Sequence, residues 1–232
     1  MKRTPEPETP RALLGLQQMS PRQQLRAGRL PRRLTQLFAG LTLFGLSMAM
    51  LIRGGLGMIP WDVFHAGVTK HLPLSFGTVA IITALIVLLL WIPLREAPGL
   101  GTIANAIWVG VAVDVFLALL SAPEGLVARF AMMLGGIVLN AVATALYIGA
   151  QFGPGPRDGL MTGLARRLPI SLRVIRTGIE VVVVLAGWLL GGVVGLGTVL
   201  FALCIGPLTQ LFLPPLMVRV DRPSRPEGPT SA

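Results

Sequence analysis

Apolar residues run in six long stretches along the chain, at about 34–52, 75–94, 101–121, 130–150, 174–192 and 198–217, parted by polar breaks. Each is close to the ~20 residues an α-helix needs to cross a hydrocarbon core about 30 Å thick. Backbone in lipid has no water to bond, so such stretches must be helical. The pattern predicts an all-α integral membrane protein with six transmembrane helices. The breaks after the first and fourth stretches are the longest, and each predicts a short helix, over 61–70 and 158–167. Residues 1–33 and 218–232 are polar and rich in Pro and Arg and are expected to be disordered tails. A short amphipathic piece over 11–25 is expected on the membrane surface.

The two long breaks carry the same motif. Gly57-Met58-Ile59-Pro60-Trp61-Asp62 returns 96 positions later as Gly153-Pro154-Gly155-Pro156-Arg157-Asp158. The offset holds without a gap over about 34–118: Leu72-Pro73 maps to Leu168-Pro169, Ser75 to Ser171, and Gly99-Leu100-Gly101-Thr102 to Gly195-Leu196-Gly197-Thr198. The chain thus reads as membrane repeat 1 (34–121) and membrane repeat 2 (122–217). Three spans per repeat is an odd number, so the second copy is expected to enter the membrane from the opposite side, as two inverted three-helix repeats. Many secondary transporters are built this way. A packing seam accompanies the third span of each repeat. Thr102, Ala106, Gly110 and Asp114 are spaced by four, and Thr198, Ala202, Gly206 and Gln210 answer them. Small residues let helices approach closely in lipid, so spans 3 and 6 are expected to meet near the pseudo-two-fold axis.

Composition agrees with the bilayer. Hydrophobic residues are 53% and charged residues 13%, about half the charged share of a soluble domain. Lys and Arg outnumber Asp and Glu by 20 to 10. They crowd the tails and the second motif loop, which is how a membrane protein fixes its orientation, and no nucleic-acid-binding signature accompanies them. With the N-terminus inside, both termini are expected in the cytoplasm of a bacterial cell, at its cytoplasmic membrane. Cys204 is the lone cysteine, so no intramolecular disulfide forms. No nucleophile elbow, P-loop, dinucleotide fingerprint or HExxH run is present, so no enzyme and no cofactor is expected.

The Gly-x-x-Pro-x-Asp repeats, the run Gly-Pro-Gly-Pro-Arg-Asp-Gly-Leu-Met-Thr-Gly at 153–163, Pro-Gly-Leu-Gly-Thr at 98–102 and Gly-Leu-Gly-Thr-Val-Leu-Phe-Ala at 195–202 together resemble the YczE/YyaS/YitT family of bacterial membrane proteins. The likeness covers nearly all of 34–214. It implies a multi-pass membrane protein of no settled activity and supplies no catalytic residues.

The candidate substrate or ion site is Asp62, Asp158, Asp114, Glu180, Arg157 and Arg176. Asp62 and Asp158 each follow a Pro, where an acid simply starts a short helix well. Their second reading is a pair of gates or an ion site. Asp114 lies inside span 3, where a carboxylate marks either function or a bond to a neighbouring helix. Arg176 and Glu180 are four apart and suit a structural pair. With Arg157 and Arg173, Arg176 also suits an anionic substrate. Asp62 and His65 lack the further ligands that a metal needs. Trp61 reads as an interfacial anchor. The function expected is a small secondary transporter for an unknown molecule or ion. The alternative is a non-transporting accessory protein that supports assembly or secretion of a partner or secondary metabolite. Beyond the lipid bilayer, a second copy or another membrane protein is the expected partner.

Overall fold

The computed structural model describes residues 19–220, and these are helical with no strand. The helices are α1 (Pro21–Arg26), α2 (Leu30–Gly54), α3 (Pro60–Thr69), α4 (Phe76–Leu89), α5 (Trp91–Leu94), α6 (Leu100–Leu119), α7 (Leu126–Gly149), α8 (Pro156–Arg167), α9 (Leu172–Leu189) and α10 (Leu196–Leu216). Five segments are long and apolar enough to cross a membrane: α2, α4 with α5, α6, α7 and α10. The expected fifth span forms as α9, but Arg173, Arg176 and Glu180 lie in its first half and lower its apolarity. Outward side chains are apolar; Leu119, Val127, Leu189 and Leu203 are each more than 60% exposed. Such a surface is solvated by lipid, since water would penalise it.

Helix starts keep the 96-residue register. Leu30 answers Leu126, Pro60 answers Pro156, Phe76 answers Leu172 and Leu100 answers Leu196. Local chemistry sets these starts. Pro60 and Pro156 fill first-turn positions, where no N–H is missed. Ser75 and Ser171 cap α4 and α9, accepting from the backbone N–H of Thr78 and Val174.

The core pair is α2 with α7. Gly40 and Gly136 lie at their crossing, where an added Cβ at Gly40 would stand 2.8 Å from the Tyr147 nitrogen and one at Gly136 would stand 3.1 Å from Leu51. Asn140 donates to Ser47 across the same interface at 2.8 Å, an interhelical hydrogen bond of the kind that holds helices together in lipid. The two helices run antiparallel, as two arginines demonstrate. Arg33, at the start of α2, donates to the Ala150 and Gln151 carbonyls beyond the end of α7, both at 2.9 Å. Arg129, at the start of α7, donates to Gly54 at 2.8 Å and to Gly55 at 3.0 Å, at the end of α2. Each guanidinium satisfies carbonyls that a helix end leaves open.

On this pair α6 packs against α2 and α10 against α7, while α4 lies on α6 and α9 on α3. Spans 3 and 6 therefore do not pair with each other, contrary to the expected seam. The close approach at the middle is taken by α2 and α7. Residues 19–33, expected in a disordered tail, are ordered in α1 and the first turn of α2, because Arg33 is fully buried and also holds the Gln24 carbonyl at 2.6 Å. The expected amphipathic piece lies outside the described residues over 11–18, as do the remainders of both tails. The start of α2 and the residues after α10 share one end of the bundle: the Val218 N–H donates to Gly149, and Gln36 donates to Leu216.

Candidate polar centre between two re-entrant helices

Arg33 and Gly54 are 21 residues apart on α2, roughly 30 Å at helical rise. The segments leaving α2 and α7 thus start from opposite ends of the antiparallel pair. Yet the Arg157 guanidinium stacks 4.8 Å from the Trp61 ring centre. Both segments must turn back into the bundle for that contact to form. Each turn is held against the start of a long helix. Leu56 accepts from Gly197 at the start of α10, and Phe152 accepts from Gly101 at the start of α6, both at 2.8 Å. The threonines follow suit with opposite polarity. Thr198 accepts from the Met58 N–H at 3.1 Å, whereas Thr102 donates to the Pro154 carbonyl at 2.7 Å. Gly57 and Gly153 have φ of +127° and +104°, and a Cβ on Gly57 would stand 2.7 Å from the Thr198 nitrogen, so glycine is required there.

From this centre α3 and α8 run outward in opposite senses. The end of α3 approaches Gly191 after α9, and the end of α8 pairs Arg166 with Glu96 at 2.5 Å. Their N-termini, which carry partial positive charge, both point to the middle.

The groups gathered there are polar and poorly satisfied. Asp62 and His65 are fully buried. The His65 Nδ1 lies 3.4 Å from an Asp62 oxygen, in ion-pair range but without hydrogen-bond alignment, so both carboxylate oxygens and both ring nitrogens lack a partner, as does the Trp61 indole N–H. Burial pushes the His65 imidazole below its ordinary range, opposed by the Asp62 carboxylate and reinforced by the Arg157 charge. The Phe76 ring meets the imidazole edge-on at 5.5 Å. From α7, the Tyr147 hydroxyl donates to Asp158 at 2.9 Å. Unpaired buried groups are uncommon in folded proteins and call for a role. Among the described residues no group of three His, Cys, Asp or Glu stands close enough to hold a metal ion.

Of the expected site residues, Asp62 and Arg157 are central, with Asp158 and Glu180 within electrostatic reach of Arg157. Arg176 bonds Glu180 at 3.0 Å, as the structural pair anticipated, and is largely exposed. Asp114 caps α4 instead, accepting from Ser75 at 2.5 Å and from the Gly77 N–H at 2.7 Å. Trp61 is buried beside Trp91, Val87 and Leu160 and is no interfacial anchor. Tyr147 escaped notice because its partner lies on another helix, and Arg33 and Arg129 because they fall one residue before the aligned repeat, although they too are 96 positions apart.

The seams differ. In the first, Thr102, Ala106 and Gly110 are buried, and an added Cβ at Gly77 of α4 would collide with the Gly110 carbonyl. In the second, Thr198 is buried, but Ala202 and Gln210 are exposed and nothing lies near Gly206.

Apolar helices around a polar centre define a multi-pass membrane protein. The chain belongs to the family of unknown function DUF6198, whose model matches residues 31–214. It is 41% identical over 177 residues to an uncharacterized protein of Haemophilus influenzae, covering 76% of this chain and 81% of the relative. It is 34% identical to the uncharacterized membrane protein YczE of Bacillus subtilis over 78% of this chain and 86% of that one. It is 25% identical to the Bacillus subtilis protein YyaS over 75% of this chain and 89% of that one. No solved structure matches.

Proposed function

We propose that the protein is a small secondary transporter made of two inverted three-span repeats, with α9 as the fifth of six spans and both termini in the cytoplasm. The observation that carries this reading is the meeting of Trp61 and Arg157, equivalent positions of the two motifs, at the tips of helices that re-enter from opposite ends. Transporters with inverted repeats bind substrate at such an interface, beside broken helices. The reciprocal Arg33 and Arg129 bonds support an axis between the halves.

The unequal seams support two alternating states. In this structure α4 closes on α6, while α9 leans on α3 and leaves the α10 seam bare. Exchange of these roles would open the first seam and cover the second. It would not be a perfect swap, since Arg173 stands where α4 has Gly77.

Purified protein in liposomes should move a small solute down an imposed gradient. A cysteine pair bridging α4 and α6 to either side of Gly110, in a Cys204→Ser background, should cross-link and arrest that flux, and reduction should restore it. Absence of flux across a broad solute panel, together with a stoichiometric co-purifying membrane partner, would favour the accessory role instead.

A further inference from the structure

We propose that the stacked Trp61–Arg157 contact binds a small oxyanion, a carboxylate or an inorganic phosphate, and that the Asp62–His65 pair takes up one proton as it binds. The assignment deepens the transporter reading and rests on it for the movement of the anion, though not for its binding.

Four observations converge. Arg157 forms none of the ion pairs among the described residues, which are His65–Asp62, Arg166–Glu96 and Arg176–Glu180. Its contacts with acids are longer-range, so its planar fork of donors is unused. The indole N–H beneath it is buried and unpartnered. Trp61 and Arg157 are the second residues of α3 and α8, so both helix N-termini lie at this contact and add positive potential to it. The fourth is Asp62, fully buried, with neither oxygen hydrogen-bonded.

Charge balance then couples the two ligands. Around the centre stand Arg157 and Asp158 from α8, Tyr147 from α7, and Arg176 and Glu180 from α9, while α4 contributes no titratable group, only side chains such as Phe76 and Val87. Asp158 is served by Tyr147 and Glu180 by Arg176. Tyr147 is neutral, so Arg157 is the one cation shared by two carboxylates, Asp62 and Asp158. An incoming anion would compete with Asp62 for that one cation, and in a medium of low dielectric the surplus negative charge is costly. A proton from solution on the Asp62–His65 pair offsets the charge the anion brings and frees the guanidinium from Asp62. Anion and proton therefore bind together, which is the requirement for symport.

The test uses the full chain in lipid nanodiscs, labelled with 5-fluorotryptophan and read by fluorine NMR, with Trp61→Phe assigning the Trp61 signal. Acetate and inorganic phosphate are the probes and chloride the control. One or both probes should shift the Trp61 signal saturably, with apparent affinity rising about tenfold per unit fall in pH for a single coupled proton. Arg157→Gln should abolish the response, and Arg157→Lys, which keeps the charge but loses the fork, should weaken it even if the first variant fails to fold. Asp62→Asn should bind with little pH dependence. No Trp61 shift with either probe, equal affinity at all pH in the wild type, or full pH dependence in Asp62→Asn would each overturn the proposal. Flux of some other solute without a Trp61 response would sink this assignment and leave transport standing. Coupled binding without flux would do the reverse.

Discussion

Asp62 shows how a single residue can be kept against its own stability. A buried carboxylate with no hydrogen bond is a net cost, and Asn at the same place carries no charge to desolvate. Asp62→Asn should therefore raise the thermal unfolding temperature in detergent while abolishing activity, the trade-off common at functional sites. A lower unfolding temperature would mean that Asp62 is structural. The neighbouring imidazole gives a second expectation. Its pKa is lowered in the fold, so below the ordinary value of about 6.5 the unfolded chain binds more protons than the folded one, and stability falls as pH falls. Thermal scans on acidification from about pH 7 to 5 should show that loss, and His65→Gln should flatten it. The paired arginines belong to this scale too. Arg33→Gln and Arg129→Gln each strip charged bonds from helix ends, and each should lower unfolding free energy by about 2–4 kcal/mol in denaturant titration.

Between helices, packing is decided by where a side chain is absent. Gly187 lets α9 touch the backbone of α3 at Phe64. Its equivalent in repeat 1 is Trp91, whose ring fills the space over Gly159. The size of the residue has changed sides between the two halves, so α9 sits closer to α3 than α4 does to α8. The two seams obey the same rule. Gly110→Leu should destabilise strongly, since Ile81 and the Gly77 carbonyl occupy the space, with an overpacking cost of about 1–3 kcal/mol. An added Cβ at Gly206 meets nothing within 4 Å in this conformation, so Gly206→Ala should not lower stability. If transport alternates between seams, the latter variant should still slow flux, and equal effects of the two on stability would contradict the bare second seam.

For the molecule as a whole, orientation is the decisive quantity. With Cys204 replaced by Ser, a cysteine at Lys70 should react with an impermeant thiol reagent in intact cells. One at Arg166 should react only after permeabilisation, because Lys and Arg bias the second motif loop toward the cytoplasm. Labelling of both from the same side would remove the inverted arrangement and the transporter reading with it.

How much was legible depended on whether the signal was local. Helix starts at Pro60, Pro156, Ser75 and Ser171 are written in neighbouring residues, and the need for lipid is written in long apolar runs, so the sequence alone determined an all-helical membrane chain and the register of its two halves. The Arg176–Glu180 pair was legible for the same reason, being one helical turn apart. Which helices touch is a different matter: Gly40, Gly110, Gly187 and Gly206 look alike as letters, and only the facing atoms distinguish a packed glycine from a bare one. Asp114, inside span 3, and Asp62, at the start of a short helix, both stood as candidate ion-site acids, until the fold gave one the first turn of α4 and left the other unpaired beside His65. The meeting of Trp61 with Arg157 joins residues 96 positions apart, and tertiary structure alone decided it, because close packing depends on the shape of both partners and a sequence presents them one at a time.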